Sequence, residues 1–183
     1  MKRLGTLARE ATAYHEAGHA MMAFLEDVRV KRISIKPNAE STGRVLHAEV
    51  MRRSDSDMVR YGAGESVAKG WRARLRIESL VRICLAGPIA QRTFNPRTWR
   101  AHHGASDHDL AIRALELLAS SDRQIKAYQH LLVVQVEEAV MMPMRWSCVQ
   151  ALAAALLENE ELVCDEAVSI IRADISCQMV RRV

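Results

Sequence analysis

Aromatic side chains are scarce in this sequence: two Phe, three Trp and three Tyr, 4% of 183 residues. A module that reads nucleic acid by stacking bases is therefore disfavoured. The net charge of +4 is also too modest, and too evenly spread, for the dense basic stripe such modules carry. Cysteines number only four, and Cys84, Cys148, Cys164 and Cys177 form no CxxC pair, which argues against a four-cysteine metal site or a disulfide framework. Cys84 and Cys148 lie in apolar surroundings, where a thiol behaves as a small hydrophobe. No stretch reaches the roughly 18 apolar residues of a membrane span. Met1 to Gly5 lead into a Glu-containing amphipathic segment instead of a signal peptide's apolar core. The sequence also lacks a GxxxxGK[ST] phosphate loop. The expectation is a soluble cytoplasmic protein of a reducing compartment that engages neither nucleic acid nor membrane.

What is present is aliphatic. Apolar residues make up 49% of the chain, with Ala, Leu, Val and Met prominent. This mixture favours helices packed on helices. The length suits one domain, 1–183, with a first part (1–120) carrying the chemistry and helices in 121–183. The expected fold class is mainly α (α+β), with a small β-sheet beside the first helix and a C-terminal helical bundle.

Periodicity predicts a helix from Leu7 to Leu25 and a strand over Val28–Lys36, where Val30, Ile33 and Ile35 recur among basic residues. A turn follows at Pro37 and Asn38, with Ser41, Thr42 and Gly43 close behind, and a second strand over Arg44–Met51. Arg53 to Gly70 reads as a loop containing three of the eight glycines. Helix returns over Trp71–Phe94, with Pro88 expected to restart or kink it. Asn95–Ser106 reads as loop. Further helices are expected over Asp107–Ser120, Gln124–Met142, Ser147–Leu157 and from Glu166 onward, the last capped by Asp165.

The informative segment is Ala13-Tyr14-His15-Glu16-Ala17-Gly18-His19-Ala20, an HExxH pattern on a helix. Residues four apart share a helix face, about 6 Å apart along the axis, so two imidazoles can converge on one Zn²⁺. Glu16 then stands within reach of a water at that ion and suits a general base. Two histidines leave a catalytic zinc one protein ligand short. The candidates are His47, His102, His103, Asp107, His108 and Asp109. Asp107 falls on a stripe with Leu110, Ala111, Ala114 and Leu118, and a carboxylate heading an apolar stripe needs a partner. Asp109 shares its face with Arg113 and Glu116 and is the reserve. His102 and His103 read as surface groups, and nothing demands a role for His47.

With these residues assembled, the chain resembles the peptidase domain of the FtsH-type membrane-anchored ATP-dependent zinc proteases. AYHEAGHA at Ala13–Ala20 is similar to that family's zinc helix, and RISIKP at Arg32–Pro37, with Gly43 after it, to the strand and turn that follow. Leu85-Ala86-Gly87, Ala90 and Phe94 resemble the family's AGR-AEE-FG helix. Pro88 stands where Arg is usual, and Gln91 and Arg92 replace the acidic pair. Gly104-Ala105-Ser106-Asp107 resembles the GASND segment whose Asp is the third zinc ligand, with one residue fewer before the Asp. Val149 to Arg172 resembles the closing helices.

The resemblance implies a zinc metalloendopeptidase with His15, His19 and Asp107 on the metal and Glu16 as base. Without a phosphate loop, any ATP-driven unfolding would fall to a separate ATPase or adaptor partner. The expected substrates are then unfolded or flexible polypeptides, with the Val30–Ile35 strand offering an edge to an extended peptide. The alternatives are a catalytically weak zinc-containing interaction or adaptor module of the same fold, and a zinc hydrolase acting on a small amide. The sequence does not specify an oligomeric state.

Overall fold

A computed structural model of the chain describes residues 2–37, 44–47, 67–97 and 99–180, apart from the side chains of 2–5, 44–47, 67–69 and 101. The expected turn at 38–43, the end of the second strand at 48–51 and most of the loop expected over 53–70 lie outside the described residues. In chain order the elements are α1 (Lys2–Leu25), β1 (Val30–Ser34), β2 (Arg44–His47), α2 (Val67–Phe94), a single 3-10 turn (Ala101–Gly104), α3 (Ala105–Leu115), α4 (Asp122–Met141), α5 (Pro143–Asn159), β3 (Glu161–Val163) and α6 (Cys164–Val180). The fold is mainly helical with one small antiparallel sheet.

Helix α1 is the spine, packing on α2 along one side and on α5 along another. Its inner faces are lined with small residues: Ala13, Ala17, Ala20 and Ala23 are all buried. The approach to α2 is tight at Gly18, where an added Cβ would lie 2.6 Å from both the Ala86 carbonyl oxygen and the Ala90 Cβ. No larger residue fits there without parting the helices. Helix α1 ends as Asp27 adopts a left-handed backbone (φ 55°), a conformation Asp tolerates better than most residues, and Val28 N–H donates back to the Ala23 carbonyl.

The sheet has the order β2-β1-β3, with both pairings antiparallel. Val30 and Ile33 are both buried although three residues apart, which strict alternation forbids. A register shift between Val30 and Arg32 restores the phase. Strand β1 is therefore the centre of the sheet, not an edge: its two sides pair with β2 and with β3. The expectation that Val30–Ile35 offers an edge to a peptide is overturned. Among the described residues, the outer edges belong to β2 and β3.

Several element boundaries also differ from expectation. Helix α2 begins at Val67, inside the expected loop, and runs unbroken past Pro88. Helix α3 starts two residues earlier than expected and ends at Leu115; Ala111, Ala114 and Leu115 are buried, but Leu110 is exposed. Pro143 sits in the first turn of α5, where its missing N–H costs nothing. Helix α5 closes on Glu160 in the left-handed conformation (φ 60°), whose N–H donates to the Leu156 carbonyl. Strand β3 follows at once, in the gap that the sequence leaves between two expected helices. Asp165 is not a cap; it lies in the first turn of α6, and the Glu166 carboxylate accepts from Val163 N–H instead.

Beyond the C-terminal end of α1, Glu26 is clamped to α2. Arg82 donates to both carboxylate oxygens at 2.7 and 2.9 Å, and Ser79 Oγ donates at 2.6 Å. Arg82 also lies 3.5 Å from Glu78, which accepts from Arg74 at 2.9 Å and from the Tyr128 hydroxyl of α4.

Candidate metal centre

The buried polar side chains among the described residues are His15, Glu16, His19 and Gln91, and all four gather at one place between α1 and α2. Burying polar groups costs free energy unless something compensates them. Three helices supply the site. Helix α1 gives His15 and His19, which its pitch sets one turn apart with Nε2 atoms 3.0 Å from each other. Helix α3 gives Asp107 from its first turn, with Oδ2 3.1 Å from His15 Nε2 and Oδ1 3.5 Å from His19 Nε2. Helix α2 supplies the supports: the Ile83 carbonyl lies 2.7 Å from His19 Nδ1, and Gln91 Oε1 lies 2.9 Å from His15 Nδ1.

The chemistry of this donor set decides what it can hold. A carbonyl oxygen only accepts, so His19 Nδ1 carries the proton it donates to Ile83. In neutral His19 the Nε2 lone pair is then directed into the site. His15, with Nδ1 facing Gln91 Oε1, is disposed in the same way. Together with the Asp107 carboxylate, three electron-pair donors converge within 4.8 Å of one another. Ligand atoms of a tetrahedral ion bound at about 2.0–2.2 Å lie roughly 3.3 Å apart, the spacing seen here. A divalent cation fits this site.

Burial works against Asp107's charge, but the imidazoles of His15 and His19 beside it overcome this and hold the carboxyl well below its ordinary range. Burial likewise opposes charge on His19, yet Asp107 and the Ile83 carbonyl outweigh it and raise its pKa. Glu16, 5% exposed, forms no hydrogen bond or ion pair with any described residue. Burial, with Asp107's charge adding and His15 opposing, pushes its pKa up to about 7. Cys84 stays a thiol: burial and the Asp107 charge push it up to about 12, which disfavours a role as thiolate ligand.

The structure brings together His15, Glu16, His19 and Asp107. It does not bring Asp109, whose side chain is 73% exposed and lies 3.9 Å from His108. His102 is exposed, as expected. The side chain of His47 is outside the described residues. Asp107 does not cap α3: Gly104 is the N-cap, and the carboxylate turns to the histidines.

Sequence reasoning missed the supports on α2. Ile83, Gly87 and Gln91 are four apart and form one stripe facing the histidines. At Gly87 an added Cβ would stand 2.3 Å from His19 Nε2, so only glycine leaves that nitrogen accessible. A buried glutamine four residues beyond a glycine, on an otherwise aliphatic helix face, is the signal that could have found them. No protein-family model and no curated protein matches the sequence.

Proposed function

We propose that this chain is a zinc-dependent metalloendopeptidase acting on unfolded or flexible polypeptides. The observation that carries the reading is a donor set of two buried histidines and a half-buried aspartate, with a buried carboxylate beside it that pairs with no described residue. His15, His19 and Asp107 would hold the metal, and the resemblance to FtsH-type peptidase domains agrees with those three positions. Zinc held there supplies Lewis acidity toward water and toward a peptide carbonyl.

The other roles belong to this chain's own groups. Glu16 adjoins His15 and lies close enough to Asp107 to feel its charge. Its carboxyl, poised near neutrality by burial, can take a proton from water and return it to the leaving amine. Ile83 and Gln91 keep both imidazoles oriented. A site meant only to cross-link the fold has no use for a buried carboxylate without a hydrogen-bonding partner, which favours catalysis over a purely structural metal.

Glu16→Gln tests the reading. Zinc content by atomic absorption should match the wild type, while hydrolysis of fluorescent casein falls by about a hundred- to ten-thousandfold. Undiminished hydrolysis would remove Glu16 from the mechanism. Wild-type protein that retains zinc but cleaves no peptide would support the adaptor reading instead.

A further inference from the structure

We infer that Gln91 is a positioning residue that fixes which ring nitrogen of His15 carries the proton, and that His103 with the Arg100 backbone amide fixes Gln91 in turn. This rests on the zinc reading above and deepens it. The argument starts from a group that has no choice. The Arg100 backbone N–H can only donate, and it donates to His103 Nδ1 at 3.2 Å. His103 Nδ1 must therefore present a lone pair.

Gln91 Nε2 lies 3.2 Å from the same nitrogen. A lone pair there requires the amide to turn its NH₂ toward His103, which sends Oε1 toward His15. With an acceptor 2.9 Å away, His15 carries its proton on Nδ1. Its Nε2 is left as a lone pair, 3.1 Å from Asp107 and 3.0 Å from His19 Nε2. Each step permits one arrangement, so a backbone amide on the 3-10 turn dictates which ring nitrogen of His15 meets the metal.

The turn is seated to do this. Gly104 abuts α2, where an added Cβ would lie 2.6 Å from the Pro88 ring, and the His103 N–H donates back to the Arg100 carbonyl at 3.0 Å. A glutamine suits the position because it accepts from one histidine and donates to the other. A carboxylate could accept from His15 but has no proton for His103. An apolar side chain could do neither.

The test measures zinc affinity by competition with a chromophoric chelator, together with exchange of the imidazole N–H protons by NMR in zinc-loaded protein. Gln91→Met keeps the bulk and removes both hydrogen bonds. It should weaken zinc binding by about ten- to a hundredfold. The His15 Nδ1–H signal should be lost to fast exchange, while that of His19, held by the Ile83 carbonyl, persists as an internal reference. Gln91→Glu restores the acceptor for His15 without the donor for His103, so it should bind zinc more tightly than Gln91→Met and keep the His15 Nδ1–H signal, a readout that stands even if Gln91→Met fails to fold. His103→Phe should weaken binding less than Gln91→Met.

Unchanged affinity and equal protection of both histidines in Gln91→Met would overturn the inference while leaving the zinc site intact. Loss of the His15 Nδ1–H signal in Gln91→Glu would overturn it too. Wild-type protein that takes up no zinc at all would instead overturn the reading on which it rests.

Discussion

Two polar clusters lie along the same pair of helices, and they are built in opposite ways. Toward the C-terminal end of α1, Glu26, Ser79, Arg82, Glu78, Arg74 and Tyr128 satisfy one another: the carboxylates meet two guanidiniums, a serine hydroxyl and a phenol. Near the middle of α1, His15, His19 and Asp107 direct only electron pairs at one another once the α2 supports have taken their protons. The first cluster is complete within the chain. The second offers three electron-pair donors that a cation would complete. Burial and polarity alone do not separate the two clusters; donor–acceptor balance does.

Three substitutions break or sharpen this contrast. The largest effect should come from Gly87→Ala, because the new methyl competes with the metal for His19 Nε2. Protein dialysed against zinc should retain none, and stability should fall by about 1–3 kcal/mol from overpacking. Full zinc occupancy in that variant would show that the histidine side of the site yields more than its packing implies.

Arg82→Met should damage the closed cluster alone. It leaves Glu26 facing only Ser79 in a partly buried setting, and breaking a buried pair costs about 3–5 kcal/mol. The Arg82 and Glu26 side chains are 18% and 16% exposed, so solvent screening lowers the expected cost to about 2 kcal/mol. Zinc affinity should not change.

The same variant should alter the acid response. Burial favours the neutral form of Glu26, but the bonds from Arg82 and Ser79 prevail and hold its carboxyl below the ordinary 4.5. Tyr128 and the two arginines do the same for Glu78 against its own burial. A carboxyl whose folded pKa is depressed contributes stability in full above its unfolded value and loses it as pH falls through the folded one. Urea unfolding of the wild type should therefore weaken below pH 4.5, and Arg82→Met should show a shallower decline over that range. Parallel declines would mean that the cluster carries little of the acid sensitivity.

The smallest effect belongs to Asp109→Asn. With that carboxylate 73% exposed, zinc binding and stability should stay within about 0.5 kcal/mol of the wild type. A marked loss of zinc would reopen the choice between the two aspartates.

The α1 half of the site was legible because its logic is local. HExxH on one helix needs only the helix pitch to bring His15 and His19 together, and the stripe containing Asp107 could be traced by the same pitch. The illegible parts depend on pairings between distant segments. Nothing within Glu161–Val163 distinguishes three strand residues from the tail of α5; partnership with Arg32–Ser34 does. The same pairing places β1 in the centre of its sheet, which no alternation of Val30, Ile33 and Ile35 could announce. Gln91 was visible as a departure from the acidic pair of the resembling family, but its role required His103, brought near by a turn twelve residues on. Leu110 failed the stripe argument because α3 buries a narrower face than its apolar residues suggest.

Asp107 belongs to a short helix far along the chain from the two histidines, with the sheet and the whole of α2 in between. An ion binding all three would tie off a very long loop in the folded chain and, unlike a disulfide, would be released on unfolding, so its contribution would depend on the free ion concentration. The penalty for closing such a loop rises only logarithmically with its length. Insertions between the two ends should therefore be tolerated far better than any change in the angle at which α3 meets α1.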